Sequence, residues 1–231
     1  RSVENGSGQA VSFTPFGRVS RFGTPETLGF FILHEGPYGV FDGTLRESSY
    51  STLRDDGRIE YASSGGWMGF TDKYWLVALA PNQAVPVQAS FDHIAVGGQN
   101  RYFATYAEPA IAVAPGDVFE QTMHVFAGAK EVRLMEAYGR DLGIEKFDLT
   151  VDFGWFYFLT RPFFYVLTWI HGLVGNFGIA IILMTFLIKA ILFPLANKSY
   201  KSMSRMKALA PQMTALRDRY KGDRQRLNQE M

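Results

Sequence analysis

Hydrophobic and polar positions change their period several times along this chain, and each change marks a different kind of element. Up to about residue 130, apolar and aromatic residues come in short runs: LGFFIL (28–33), YGVFDG (38–43), WMGFTDKYWLVALA (67–80), PVQASFDH (86–93), RYFATY (101–106) and VFEQTMHVFAG (118–128). Gly, Pro, Asn and Asp punctuate them at intervals suited to a β-sandwich. VFEQTMHVF alternates, with Val118, Glu120, Thr122 and His124 on one face and Phe119, Gln121 and Met123 on the other. Neither face is purely apolar, so the alternation supports a strand without identifying its buried side. From Lys130 the spacing turns helical: Val132, Met135, Tyr138 and Leu142 share one side, and Gly143 is a suitable stop.

The segment FGWFYFLTRPFFYVLTWIHGLVG (153–175) is apolar and aromatic, with Arg161, Tyr165, Thr168 and Gly172 forming one narrow polar stripe at helical spacing. Next, FGIAIILMTFLIKAILFPLA (177–196) is interrupted only by Lys189. Some 20 residues make a helix of roughly 30 Å, the thickness of a bilayer's hydrocarbon core. This segment predicts a transmembrane helix. Beyond it the chain is amphipathic, with Met203, Met206, Leu209, Met213, Leu216 and Tyr220 at spacings of three and four. Pro211 falls inside this stripe and predicts a kink or a fresh helix start, while Lys221-Gly222-Asp223 reads as a stop and restart. The expectation is a helical hairpin over 197–231.

Charge then orients the chain. Residues 1–150 carry 12 basic and 18 acidic side chains, a net −6, whereas 197–231 carry nine basic and three acidic, a net +6. The positive-inside rule places the tail in the cytoplasm and residues 1–150 outside. A hairpin of two spanning helices would put both flanks on one side, against this asymmetry. The segment 153–175 is therefore expected to lie in the outer interface, where Trp and Tyr are favoured. There is no cysteine, which excludes disulfides, thiolate nucleophiles and Cys-bound metals. The chain begins with Arg1 and ends at Met231 within a helical pattern, and reads as a fragment of something longer.

Few residues carry chemistry. Lys189 lies past the midplane of the predicted span, roughly 10 Å from its cytoplasmic end, and a Lys stem covers only part of that distance. A functional role and a snorkelling or packing role both remain open. Thr185 lies one turn earlier on the same face, where it either bonds its own backbone or extends a polar strip. The Met stripe reads either as an adaptable apolar surface or as the seam of a hairpin. The basic tail suits anionic headgroups better than a specific nucleic-acid site. His34, His93, His124 and His171 lack metal-ligand spacing, and there is no P-loop, nucleophile elbow or CxxC. No catalytic residue, metal site or cofactor is expected.

At VGNFGIAIILMTFLIK (174–189) and FPLANKSYKSMSRMKALAPQMTALRDRYKGDRQRLNQEM (193–231) the sequence closely resembles the YidC family of bacterial membrane protein insertases. GGWMGFTDKYWLVAL (65–79), FAGAKEV (126–132) and LGIEKFDLTVDFGWFYFL (142–159) resemble the end of that family's large periplasmic domain. Several long motifs in the right order cover most of the chain. The resemblance implies a multidomain β + α membrane protein. Its parts would be a mutarotase-like β-supersandwich in the periplasm (1–150), an interfacial helix (153–175), the first core transmembrane helix (177–196) and a cytoplasmic hairpin (197–231). It implies an insertase and chaperone of the inner membrane, working alone or with the Sec translocon, without a cofactor. Its partners would be nascent membrane proteins, the lipid bilayer and the ribosome. Lys189 would be the cation of a hydrophilic intramembrane groove, where many members carry Arg, and Thr185 would face the passing substrate. Met203, Met206 and Met213 would belong to the hairpin that receives nascent chains. Two other readings compete: a membrane-anchored carbohydrate-binding or carbohydrate-acting β domain, and a scaffold that docks partners.

Overall fold

The computed structural model describes the backbone of residues 1–27 and 33–219, with side chains except at 205, 208, 210 and 212–219. The expected strand at 28–33 therefore lies almost wholly outside the described residues. The chain divides into two units, the first spanning Arg1–Trp155. Its strands are β1 (Ser2–Glu4), β2 (Val11–Phe13), β3 (Phe16–Phe22), β4 (Gly36–Phe41), β5 (Thr44–Glu47), β6 (Arg58–Ser64) and β7 (Trp67–Thr71). They continue with β8 (Trp75–Ala80), β9 (Pro86–Val96), β10 (Gln99–Ala107), β11 (Ile111–Val113), β12 (Val118–Glu120) and β13 (His124–Ala129). Helix α1 (Tyr50–Asp56) is capped by Ser49, whose Oγ accepts the Thr52 N–H at 3.0 Å. Helix α2 (Val132–Asp141) and a 3₁₀ turn (Phe147–Thr150) follow the last strand.

Two antiparallel sheets form a β-sandwich. One has the order β3-β10-β9-β6 and the other β13-β8-β7-β4-β5, with two small ribbons, β1-β12 and β11-β2, beside them. The core between the sheets takes Phe41, Met68, Phe70 and Leu79 from one side and Phe91, Tyr102, Ala104 and Tyr106 from the other, closed by Tyr50 and Leu53 of α1. The outer face of the five-stranded sheet is buried as well. Tyr38, Val40, Trp67, Leu76 and Ala78 pack there against Met135 of α2 and against Ile144 and Phe147. A strand covered on both faces need not alternate, which is why YGVF and WMGF read as unbroken apolar runs.

VFEQTMHVF is not one strand. β12 pairs with β1 and β13 with β8, so the segment changes sheets at Gln121–Met123. The switch point is held by polar contacts: the Gln121 N–H donates to the Arg1 carbonyl at 3.0 Å, and Gln121 Nε2 donates to Glu108 Oε2 at 2.6 Å. Arg1 pairs with the same buried Glu108 carboxylate at 2.6 Å.

The second unit begins at Phe156 and holds α3 (Tyr157–Val174) and α4 (Phe177–Arg219). Gly175, at φ +68°, ends α3 by donating its N–H to the His171 carbonyl at 2.8 Å. Asn176 then caps α4, its Oδ1 accepting the Gly178 N–H at 2.8 Å. Pro211 neither ends nor restarts the helix, and 196 marks no break: α4 runs on through Pro194 and Pro211 for 43 residues. At 1.5 Å per residue that is about 65 Å, roughly twice a hydrocarbon core. The stop at Lys221–Asp223 and any second arm of the hairpin lie outside the described residues.

Candidate functional site

Helix α4 carries the chemistry because it is the element that water does not suit. Among the described residues one helix, Phe177–Ser204 within α4, is long and apolar enough to cross a membrane. Its Ile179, Ile181, Ile182, Phe186, Leu187, Ile191 and Phe193 side chains all stand exposed in the chain. An apolar surface of this extent needs lipid or protein against it.

One side of α4 is already covered. Ala180 and Met184 enclose Ile170 of α3, and Val166, Leu167, Val174 and Ile188 close around them. Ala180 is fully buried, so its small side chain sets how closely the helices approach. His171 stacks on Phe177 with centroids 3.7 Å apart and locks the turn between them. On α3 the stripe Arg161, Tyr165, Thr168 and Gly172 points away from this seam, roughly 180° round the helix at 100° per residue.

Thr185 and Lys189 lie elsewhere on α4. At 100° per residue their shared direction is about 120° from the Ala180–Met184–Ile188 seam, so α3 does not cover them. Both are exposed in the chain. Thr185 Oγ1 donates to the Ile181 carbonyl at 2.8 Å, the backbone bond a Thr in an apolar helix commonly makes. The structure brings Thr185 and Lys189 together on one face. It places Met203 and Met206, both exposed, on the part of α4 beyond Ala196, with Met203 about 21 Å along the axis from Lys189. The backbone of Met213 is helical and its side chain lies outside the described set.

The β-sandwich offers a cavity of about 470 Å³ between β13 and α2, lined by Met123, His124, Phe126, Tyr138, Ile144 and Phe147 among others. Among the described residues that line it none is a carboxylate, so these residues do not supply the acid and base pair of glycoside hydrolysis. Among the described residues no cluster of His, Asp or Glu could hold a metal ion. Sequence reasoning missed the joint made by Asn176, His171 and Ala180. The signal was there in Gly175-Asn176, a helix stop followed by a cap residue.

The fold and the exposed helix thus define a β-sandwich carried on a membrane helix. Residues 1–166 match the family model of the YidC periplasmic domain, and residues 169–231 match that of the 60Kd inner membrane protein. Relatives named membrane protein insertase YidC include those of Granulibacter bethesdensis, 47% identical over 100% of the chain, and Beijerinckia indica, 45% identical over 99%. The relative from Rhizobium meliloti is 44% identical over 100% of the chain. This chain belongs to the YidC family, an inner-membrane family whose β-sandwich is periplasmic. The chain spans about two fifths of the length of these relatives, 41%, 38% and 39% respectively.

Proposed function

We propose that this chain is part of a membrane protein insertase and chaperone, and that the face of α4 bearing Thr185 and Lys189 lines the path of the inserting segment. The observation that carries this reading is the exposed polar strip on a helix otherwise fit for lipid, turned away from α3. A cation held at this depth, with water around it, lowers the cost of bringing a polar or acidic part of a substrate into the inner leaflet. The apolar part then slides into lipid. No bond is made or broken, and no cofactor takes part. Further helices of the whole protein enclose the strip as a hydrophilic groove, which works alone or beside the Sec translocon. On this reading α3 lies in the outer interface, and the basic, Met-bearing end of α4 opens the cytoplasmic hairpin that meets nascent chains at the ribosome, through Met203, Met206 and Met213.

The test is site-specific photocrosslinking from position 185 in the full-length protein during synthesis of a small membrane protein. The expected result is a crosslink to the nascent apolar segment that disappears when that segment is made polar. Silence at 185, alongside lipid-facing controls that do crosslink the substrate, would sink the reading.

A further inference from the structure

The hairpin joining β7 to β8 presents aromatic side chains at the end of the sandwich from which the chain departs for α3. We propose that this tip rests in the headgroup layer of the outer leaflet. The inference rests on α4 crossing the membrane with the sandwich outside and on α3 lying in the outer interface, as proposed above, and on nothing about insertion.

Strand register assembles this end. Gly36 at the start of β4 lies opposite Thr71, Thr71 opposite Leu76, and Trp75 opposite Ala129 at the end of β13. The departing chain is at the same place. Asp152 Oδ2 accepts the His34 N–H at 3.4 Å, and Asp152 Oδ1 accepts the Gly154 N–H at 2.6 Å. The Lys130 N–H donates to the Tyr74 carbonyl at 2.9 Å. Between these points Tyr74 and Trp75 are 63% and 61% exposed, and Trp155, three residues past Asp152, is 72% exposed. The exposed Lys73 sets its Nζ 4.9 Å from the Tyr74 ring.

The tip is braced from behind. Asp72 pairs with Arg21 at 2.8 Å, its N–H donates to the Trp75 carbonyl at 2.9 Å, and Lys130 Nζ donates to Thr71 Oγ1 at 2.7 Å. Two large rings held outward on a braced turn gain nothing in water, whereas Tyr and Trp are favoured at the membrane–water boundary. The chain itself supplies proximity. Tyr157, where α3 begins, lies five positions past Asp152, a reach of at most about 18 Å. Tethering of this kind populates a contact too weak to form between free partners. Arg21 is paired with Asp72, and Asp152, Asp72 and Glu35 lie near Lys130, so the positive charges here are offset and the contact rests on the rings, insensitive to salt.

The absence of cysteine gives a clean test. The whole chain, with Tyr74→Cys carrying a fluorophore, is placed in phospholipid vesicles containing headgroup-nitroxide lipid. Ala84→Cys, in the exposed turn at the far end of β8, is the comparison. Quenching several-fold greater at 74 than at 84, unchanged between low and high salt, is the expected result. Equal quenching at the two positions, or quenching at 74 that salt abolishes, would overturn the proposal. Because Tyr74→Cys removes one ring, a second measurement labels Lys73→Cys and compares the native tip with Tyr74→Ser/Trp75→Ser. Headgroup quenching should fall several-fold in the double variant. Quenching that persists there would mean that the rings are not what holds the tip, and would equally overturn it.

Discussion

Tyr50 offers a test of the sandwich core with two independent readouts from one change, Tyr50→Phe. The ring is 4% exposed, stacks near Phe70 at 6.5 Å and meets Tyr102 edge-on at 4.8 Å. Its buried hydroxyl has no hydrogen-bond partner among the described residues. Burial raises the phenol's pKa well above its ordinary value, opposed by Arg21 and reinforced by Asp72, Tyr102 and Glu35. Phenylalanine keeps the ring contacts and removes the unsatisfied oxygen, so the variant should be more stable at neutral pH by about 1–3 kcal/mol. The second readout is alkaline. A buried tyrosine held neutral keeps its proton while the unfolded chain loses it, so stability falls as pH rises above about 10, by roughly 1.4 kcal/mol per pH unit for each such group. Tyr38, raised by burial too, adds a like slope in both proteins. Lys130, lowered by burial despite Asp152, Asp72 and Glu35, acts the other way, stability rising with pH between its folded and unfolded values. Both contributions cancel in the difference. Urea unfolding of the chain in detergent, followed by near-ultraviolet dichroism, should show the stability gap widening by about 1 kcal/mol between pH 10 and 11, where the unfolded phenol goes from half to roughly nine-tenths ionised. A gap that stays constant through this range would refute the claim that the phenol is held neutral. A variant weaker than the parent at neutral pH would refute the unpartnered hydroxyl.

Gly66 sits at φ +83° with an added Cβ only 2.0 Å from the Val40 carbonyl oxygen, so Gly66→Ala should cost at least about 2 kcal/mol. A melting temperature of the sandwich unchanged within a degree or two would show that the backbone there tolerates a side chain. Ala180→Leu forces a larger side chain into the α3–α4 seam, where overpacking costs roughly 1–3 kcal/mol. With cysteines at Ile170 and Met184, a short thiol crosslinker should join α3 to α4 readily, and the yield should drop when Ala180→Leu is added. An undiminished yield would mean that the helices do not meet at Ala180.

Sequence pattern revealed the parts of this fold whose burial is simple. β9, β10 and the β7–β8 hairpin follow their apolar runs closely, and α4 is announced by composition alone. What stayed hidden depends on partners remote in sequence. β6 reads RIEYASS, polar enough to pass for a loop, yet it pairs with β9 along its whole length. β3 owes its place to β10, some 85 residues away. In α2 the predicted face was only partly right: Met135 is fully buried, but Leu142 is exposed, because the layer beneath is completed by Ile144 and Phe147 from beyond the helix. Helical spacing cannot signal a layer supplied by the following loop. At the candidate site, Thr185 and Lys189 were legible as one face, since four residues fix that by helix geometry alone. That α3 covers a different face was not, because it depends on where Ala180 lets a neighbour approach.

Anchoring and function can be separated at Lys189, and the energetics say how. Between 177 and 196 the chain has twelve Leu, Ile and Phe residues. On insertion scales these favour the membrane by about 4–7 kcal/mol in sum, while one lysine near the centre opposes it by about 2.5–3.5 kcal/mol. The span therefore holds with the charge present, and holds better without it. Lys189→Leu should leave the full-length protein in the membrane at undiminished level, since nothing in the α3–α4 seam contacts that face. If the polar strip serves substrates, the same variant should insert a small membrane protein carrying an acidic residue less efficiently. Lys189→Arg, which keeps the charge, should recover most of the loss. Insertion assayed in cells depleted of the native protein distinguishes the cases. Full activity of Lys189→Leu would mean that the charge is merely tolerated. A loss that Arg fails to repair would mean that position 189 matters through packing, and the electrostatic argument for the strip would fall.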